Sequence, residues 1–204
     1  MRTVKLIGLT GQSGAGKSTV SKALAMQEGF AVIDCDGVAR EVTADGSLCN
    51  MEIGRHFPEM VLQGFVLDRQ KTAQIVFSDK NKLREYESII YPYITQNVNE
   101  LISLYSANGY QAIILDAPTL FEAGMDSICD MVIGVIADKD IRKTRIKERD
   151  RIDDELIEKR FSSQRDESFF RENCDLLIRN NSDEKELAKE TDKTIKTIRT
   201  MING

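Results

Sequence analysis

The segment from residue 11 to residue 18, with the sequence GQSGAGKS, constrains the fold of this chain more than any other part. It matches the phosphate-binding pattern G-x-x-x-x-G-K-[ST] at every fixed position. The apolar residues 4–9 before it predict a buried strand, and residues 19–26 after it predict a helix. Such a loop wraps its amide groups around phosphate oxygens, and the helix N-terminus adds partial positive charge. The sequence therefore predicts a fold that holds a nucleoside triphosphate.

The residues of this segment, here called the phosphate loop, are expected to share the binding of the triphosphate and its metal ion. They are Gly11, Gln12, Ser13, Gly14, Ala15, Gly16, Lys17 and Ser18. Lys17 is expected to reach the β- and γ-phosphates, and the Ser18 hydroxyl is expected to ligate Mg²⁺. The alternative is a glycine-rich turn that binds nothing, and the strand and helix on either side argue against it.

The composition limits the class of protein. The chain has 204 residues, 41% of them apolar, which fits one α/β domain with insertions or one and a half domains. The net charge of −5, with acidic and basic residues intermixed, argues against a nucleic-acid partner. Because no apolar stretch is long enough to cross a bilayer and no signal segment opens the chain, we expect a cytoplasmic protein with no membrane partner.

Apolar runs alternate with helical patterns along most of the chain. Continuous apolar runs predict five strands, at residues 5–9, 31–33, 112–115, 131–137 and 176–178. This alternation is typical of an α/β fold, a doubly wound and mostly parallel five-stranded sheet flanked by helices. The nucleotide-binding core is therefore predicted to comprise residues 1–37, 110–137 and 174–204.

Two segments interrupt this alternation. Residues 38–109 contain no convincing strand and are predicted to be a helical insertion after the second strand. Residues 138–173 are dense in arginine and lysine and are also predicted to be helical. Both segments thus stand apart from the predicted sheet.

The insertion contains two recognisable helix signals. Asp68 is predicted to cap a helix at residues 69–77, because aspartate is favoured at that position. Residues 80–107 are predicted to form a long helix that is interrupted at Tyr91-Pro92, because proline cannot donate a backbone hydrogen bond.

Three acidic residues follow predicted strands. Asp34 and Asp36 come after the second strand, and Asp116 comes after the third. Ligands of open α/β sheets bind at the carboxyl ends of strands, where a carboxylate could orient an acceptor hydroxyl and take its proton. Asp34 and Asp36 would share one side if the strand persists that far, and the alternative for both is to cap a helix at 37–41. Asp116 resembles a Walker B acid, which would hold Mg²⁺ directly or through water.

The charged residues 142–150 are predicted to form one helix. Arg142, Arg145 and Arg149 are three and four residues apart and would lie on one face. Arg160 on the following helix is a further candidate. A phosphoryl-transfer enzyme needs cations around the γ-phosphate, and arginine suits that geometry. The alternative is a solvated helix face with internal ion pairs.

Six blocks of the sequence together resemble the dephospho-CoA kinase family. They follow the family's order over nearly the whole chain, at residues 8–19, 32–40, 76–79, 115–122, 145–150 and 160–164. The resemblance implies a P-loop kinase that uses ATP to phosphorylate the ribose 3′-hydroxyl of dephospho-CoA, which gives coenzyme A and ADP in the last step of coenzyme A synthesis.

The resemblance also implies a role for each segment. The core would bind ATP, residues 38–109 would bind dephospho-CoA, and residues 138–173 would form a closing lid. Asp36 matches the proposed base, and Arg40 matches a position near the acceptor. The site residues expected on these grounds are Asp36, Lys17, Arg145 and Arg149 for catalysis, residues 11–19 (Thr19 included) and Asn180 for ATP, Asp36 and Arg40 for the acceptor, and Ser18 and Asp116 for Mg²⁺.

The chain departs from the family pattern at three positions. Tyr91 stands where histidine is usual before the proline, Thr119 where a second leucine is usual, and Arg179 where an acid is usual before the asparagine. These positions bear on acceptor and adenine binding and leave the transfer groups intact.

Two other functions are compatible with the residues. One is another small-molecule or nucleoside monophosphate kinase of the same fold, and the other is a nucleotide-dependent regulator that transfers nothing. The Asp34/Asp36 strand end with Arg40 argues against the first, and the lid arginines argue against the second. In each case a monomer or weak oligomer is expected.

Overall fold

A computed structural model describes residues 4–204 of the chain. The strands in chain order are β1 (Lys5–Gly11), β2 (Phe30–Asp34), β3 (Val61–Leu62), β4 (Val66–Leu67), β5 (Ala112–Asp116), β6 (Met131–Ile136) and β7 (Leu176–Arg179). The helices are α1 (Lys17–Ala25), α2 (Cys35–Val42), α3 (Leu48–His56), α4 (Arg69–Ser78), α5 (Lys80–Ala107), α6 (Lys139–Asp150), α7 (Asp154–Ser162), α8 (Glu167–Asn173) and α9 (Glu184–Asn203). Short 3₁₀ helices lie at Pro58–Met60 and Met125–Ile128.

The chain folds into two compact units. The first comprises the chain up to Ile33 and from Tyr105 onward, and the second comprises Asp34–Leu104. The phosphate loop and the arginine-rich segment belong to the first unit, whereas Asp36 and Arg40 belong to the second.

A five-stranded sheet in the order β2-β5-β1-β6-β7 forms the centre of the first unit. The central strand β1 pairs in parallel with β5 on one side and with β6 on the other, and β6 pairs in parallel with β7. Leu9 of β1 lies opposite Asp116 of β5, and Gly11 lies opposite Val135 of β6. This register places Asp116 beside the start of the phosphate loop. The predicted α/β fold with a mostly parallel sheet is confirmed.

The strands of this sheet are apolar because helices cover them. Ile7 and Leu9 of β1 are fully buried, and all six residues of β6 are buried. Helices α1 and α9 pack into the same core through Val20, Leu24 and Ile198. Continuous apolar runs, without polar alternation, are what parallel strands covered on both faces require.

The second unit is mainly helical. As predicted, Asp68 caps α4, since its carboxylate accepts a hydrogen bond of 2.9 Å from the Lys71 amide. The predicted interruption at Tyr91-Pro92 is wrong, because the 28-residue helix α5 continues through Pro92 without a break. Proline removes a single intrahelical hydrogen bond, and burial of Ile90 and Ile94 around it stabilises the helix.

The absence of strands predicted for residues 38–109 is also wrong. Strands β3 and β4 form a short antiparallel hairpin, in which Leu62 pairs with Val66. A buried carboxamide holds its turn: Asn50 Nδ2 donates a hydrogen bond of 2.9 Å to the carbonyl of Phe65. Two-residue strands are too short to show an alternating pattern, so this hairpin leaves no signal in the sequence.

Among the helices that the structure describes, none is long and apolar enough to cross a membrane.

Candidate functional site

The phosphate loop connects β1 to α1, as the sequence predicts. The Gln12 amide donates to the carbonyl of Val135 at 3.1 Å, and the Ala15 amide donates to the carbonyl of Gln12 at 3.0 Å. By contrast, four amides of the loop donate no hydrogen bond to another residue in the range 4–204, namely those of Gly14, Gly16, Lys17 and Ser18. These four N–H groups at a helix N-terminus are the donors that a polyphosphate needs.

Gly16 is required where it stands. Its φ of +99° is left-handed, and a Cβ built there would lie 2.3 Å from Asn180 Nδ2. That carboxamide in turn donates to the carbonyl of Ala15 at 2.8 Å, so it holds the loop from the end of β7. Asn180 therefore contacts the phosphate loop itself.

Gly16→Ala is expected to destabilise the protein and weaken ATP binding, whereas Gly109→Ala is expected only to destabilise it. Both glycines have a left-handed φ, but a Cβ at Gly109 would meet nothing within 4 Å. The backbone cost of about 1–2 kcal/mol is thus shared. Displacement of Asn180 from the loop is specific to Gly16→Ala and should raise the Kd for ATP by about tenfold. Calorimetric titration with ATP and Mg²⁺ checks this, and equal affinities in the two variants would contradict it.

Lys17 and Asp116 form an ion pair next to the loop. The Lys17 ammonium contacts the Asp116 carboxylate at the end of β5, and both side chains are less than one-fifth exposed. Ser18, in the first turn of α1, is exposed. A hydroxyl and a carboxylate are oxygen donors of the kind that Mg²⁺ prefers, and Mg²⁺ usually keeps several waters besides one or two protein ligands. Ser18 and Asp116 therefore fit the metal that the sequence predicts.

Asn180 also accepts hydrogen bonds from an arginine. Arg145 of α6 donates to the Asn180 carbonyl at 3.1 Å and to Asn180 Oδ1 at 3.3 Å. Arg145, Asn180 and Ala15 thus form one continuous set of hydrogen bonds that runs from α6 to the phosphate loop. Thr19 lies beside Ser18 in the first turn of α1 and is exposed.

Arg142 differs from the other arginines of α6. It is buried, and its guanidinium lies over the ring of Phe161 at 4.4 Å. Its Nε donates to the carbonyl of Ala137 at 3.0 Å, and burial lowers the pKa of the guanidinium. Arg142 therefore joins α6 to α7, whereas Arg145 is directed to β7.

Arg149 and Arg160 share one carboxylate. Arg149 donates two hydrogen bonds to Asp150, at 2.7 and 2.9 Å, and Arg160 of α7 donates to the same side chain. These hydrogen bonds hold the pKa of the Asp150 carboxyl well below its usual value. Asp150 therefore keeps the two guanidinium groups close together.

Asp150→Asn is expected to lower the free energy of unfolding by about 1 kcal/mol at pH 7. Because the pKa of Asp150 is lowered in the folded state, its stabilisation is fully present above the unfolded pKa near 4. It is lost as the pH falls from that value through the folded-state pKa, so the difference between wild type and variant should begin to shrink below about pH 5 and should keep shrinking at pH values below 3. Urea unfolding at several pH values measures this difference.

The exposed Asp192 of α9 provides the matched control. Asp192→Asn is expected to leave the free energy of unfolding nearly unchanged at each pH. A difference for Asp150→Asn that did not vary with pH would mean that its carboxylate is not held by the two arginines.

The acidic residues after β2 lie differently from the strand-based prediction. The strand ends at Asp34, and α2 begins at Cys35, so Asp36 lies in the first turn of a helix. Strand alternation therefore does not place Asp34 and Asp36 on one side. Asp34 occupies the N-cap position without a side-chain cap, and it accepts a hydrogen bond of 3.2 Å from Arg40. Asp36 and Arg40 are both exposed.

One residue next to the loop has a contact that sequence analysis did not identify. Gln164, between α7 and α8, accepts a hydrogen bond of 3.1 Å from the Ser13 amide through Oε1. The two residues are 151 positions apart, and no local pattern in the sequence signals such a contact.

Comparisons with known proteins place this geometry in a family. The family model described as dephospho-CoA kinase matches residues 5–186. A dephospho-CoA kinase of Fusobacterium nucleatum is 36% identical over 96% of this chain and 100% of its own length.

Two solved structures are also similar. The crystal structure of TT1252 from Thermus thermophilus is similar with a TM-score of 0.81 and 29% identity, over 98% of this chain and 99% of that one. A shikimate kinase of Acinetobacter baumannii has a TM-score of 0.55 and 17% identity over 98% of this chain and 95% of its own, which shows a shared fold alone. The P-loop kinase fold and the resemblance carried by the six sequence blocks are confirmed. The chain belongs to the dephospho-CoA kinase family.

Proposed function

We propose that this protein transfers the γ-phosphate of ATP to the ribose 3′-hydroxyl of dephospho-CoA, which gives coenzyme A and ADP in the last step of coenzyme A synthesis. The observation that carries the proposal is the phosphate loop, with Lys17 held on Asp116 beside it, in a chain of this family. The loop accounts for the donor, and the relatives named dephospho-CoA kinase account for the acceptor.

The donor side is formed by the phosphate loop. The N–H groups of Gly14, Gly16, Lys17 and Ser18 would bind phosphate oxygens, together with the Lys17 ammonium. Because Lys17 already contacts Asp116, its long side chain is positioned before the nucleotide binds. Mg²⁺, held by Ser18 and by Asp116 directly or through water, would neutralise charge on the phosphates.

The acceptor side is assigned to Asp36 and Arg40. Asp36 would orient the 3′-hydroxyl in line with the γ-phosphorus and accept its proton late in the transfer. Arg40 is four residues further along α2 and so lies on the same face of the helix. An arginine there would hold an anionic group of the acceptor.

Residues 138–173 are proposed to act as the lid. Arg145 and Arg149 would neutralise charge on the transferring group, and closure would exclude water so that ATP is not hydrolysed. The pairing of Arg149 with Arg160 on Asp150 supports this role, because it keeps two cations together on α6 and α7.

A coupled ADP-release assay with dephospho-CoA, AMP, CMP and shikimate as acceptors tests the proposal. Saturable activity is expected only with dephospho-CoA. Activity only with a nucleoside monophosphate would overturn the acceptor, and nucleotide binding without transfer to any acceptor would overturn the kinase. Lys17→Ala, purified in the same way, controls for a contaminating kinase.

Four further expectations stay predictions: a cytoplasmic location, a monomeric or weakly associating state, no nucleic-acid partner and no membrane partner.

A further inference from the structure

Gln164 connects the lid segment to the phosphate loop. Its Oε1 accepts a hydrogen bond of 3.1 Å from the backbone amide of Ser13. An amide N–H can donate only to the oxygen of a carboxamide, so this contact fixes which way the Gln164 side chain is oriented. Since Ser13 lies two residues after the end of β1, the contact acts on the part of the loop that precedes the phosphate-binding amides.

Gln164 is itself held in place just after the end of α7. Its own amide donates to the carbonyl of Phe161 at 3.2 Å. The ring of Phe161 lies under the buried guanidinium of Arg142, which is bonded to the carbonyl of Ala137 at the end of β6. The acceptor for the Ser13 amide is therefore fixed relative to the sheet.

The loop is also contacted by α6, close to the same place. A Cβ at Gly14 would lie 2.8 Å from the carbonyl oxygen of Arg142, so only glycine permits this approach of loop and helix. Arg142 thus packs against Gly14 with its backbone and against Phe161 with its side chain. The loop, α6 and the end of α7 form one connected set of contacts.

A cavity also borders this part of the loop. A cavity of about 390 Å³ lies between the loop and helices α6 and α7, and Gln12, Arg142, Phe161 and Gln164 are among the residues that line it. The buried Oε1 of Gln12 has no hydrogen-bond partner among residues 4–204. On the side that faces this cavity, the loop is held by the hydrogen bond from Ser13 to Gln164, together with the close approach of Gly14 to Arg142.

We propose that Gln164 is a positioning residue for the phosphoryl transfer proposed above. By accepting the Ser13 hydrogen bond, it holds the phosphate loop in the conformation that binds the triphosphate. The same contact joins the loop to the segment just after α7, the helix that carries Arg160 four residues earlier. Gln164 acts through the loop and needs no contact of its own with the phosphates.

Exchange of the Ser13 amide with solvent, followed by NMR in the nucleotide-free protein, tests the contact directly. Gln164→Met removes the acceptor at similar size and should speed exchange of this amide by about tenfold, the factor that one hydrogen bond of ordinary strength corresponds to. Gln164→Glu keeps an acceptor oxygen and should keep the amide protected. Gln27→Met is the matched control, because Gln27 is also half-buried but follows α1 and donates its hydrogen bond locally, to the carbonyl of Ala23 four residues earlier.

Binding and turnover test the consequence of the contact. Gln164→Met should raise the calorimetric Kd for ATP and lower kcat while the KM for dephospho-CoA stays close to that of wild type, and Gln27→Met should change none of these. Unchanged exchange of Ser13, or faster exchange with an unchanged Kd for ATP, would overturn the proposal. If wild type failed to phosphorylate dephospho-CoA, the proposed function would fail, while exchange and ATP binding would still decide the role of Gln164.

Discussion

Lys17→Ala is expected to lower kcat/KM by about 30- to 1,000-fold, the loss of roughly 2–4 kcal/mol of transition-state stabilisation. The ammonium of Lys17 would act on the β- and γ-phosphates, where negative charge is redistributed during transfer. Its present contact with Asp116 keeps it at the strand ends, beside the amides of the loop. Alanine retains the backbone donors of the loop, so nucleotide binding should weaken less than turnover.

Lys22→Ala is the matched control for this prediction. Lys22 lies in the same helix, is exposed and is directed away from the core. The ADP-release assay with dephospho-CoA measures kcat and KM for both variants. Near-wild-type rates in Lys17→Ala would remove Lys17 from the mechanism.

Lys17→Arg separates charge from geometry. Removing Lys17 leaves Asp116, with a side chain only 13% exposed, without its cation, so Lys17→Ala should also lower the free energy of unfolding. Arginine keeps the positive charge, but its guanidinium is planar and forked, whereas the lysine ammonium is compact. At a crowded site, arginine therefore does not reproduce the geometry of lysine. We expect Lys17→Arg to recover stability and to stay slow in turnover.

The sheet of the first unit could be predicted from local sequence because its physical cause is local. A parallel strand covered on both faces must be a continuous apolar run, and Ile7, Ile114 and Ile133 lie in runs of this kind. The phosphate loop was equally predictable, because its function depends on neighbouring backbone amides. In both cases the signal lies in a run of neighbouring residues, although the strands themselves pair at long range, as Leu9 of β1 does with Asp116 of β5.

The contacts that support the loop could not be predicted from local sequence, although the family resemblance implies Asn180 as a residue for ATP. Asn180 reaches Ala15 across 165 positions, and Gln164 reaches Ser13 across 151. Both residues have carboxamide side chains, and only the tertiary fold brings these side chains to the phosphate loop. The same reason explains α5, in which burial of Ile90 and Ile94 outweighs the local effect of Pro92. The structure thus supplies the long-range contacts, and the sequence supplies the elements that they join.

Asp36→Asn is expected to lower kcat by about 10²–10⁴-fold, the usual contribution of general acid–base catalysis, while the Kd for ATP stays nearly unchanged. Asparagine has the size of aspartate but cannot accept the proton of the 3′-hydroxyl. Asp36 is exposed in the first turn of α2, where a carboxylate is stabilised by the helix N-terminus. The substitution should therefore act on turnover without disturbing the apolar core.

The exposed Asp45 of the same unit provides a matched control, and Asp45→Asn should keep wild-type turnover. Turnover at saturating ATP and dephospho-CoA, calorimetric ATP binding and thermal unfolding distinguish catalysis from folding. If Asp36 is catalytic, Asp36→Asn should lower kcat while the Kd for ATP and the Tm stay unchanged. If Asp36→Asn instead turned over normally with a lowered Tm, Asp36 would be a structural residue of the α2 N-terminus. Asp34, which is bonded to Arg40, would then be the next carboxylate to test as the base.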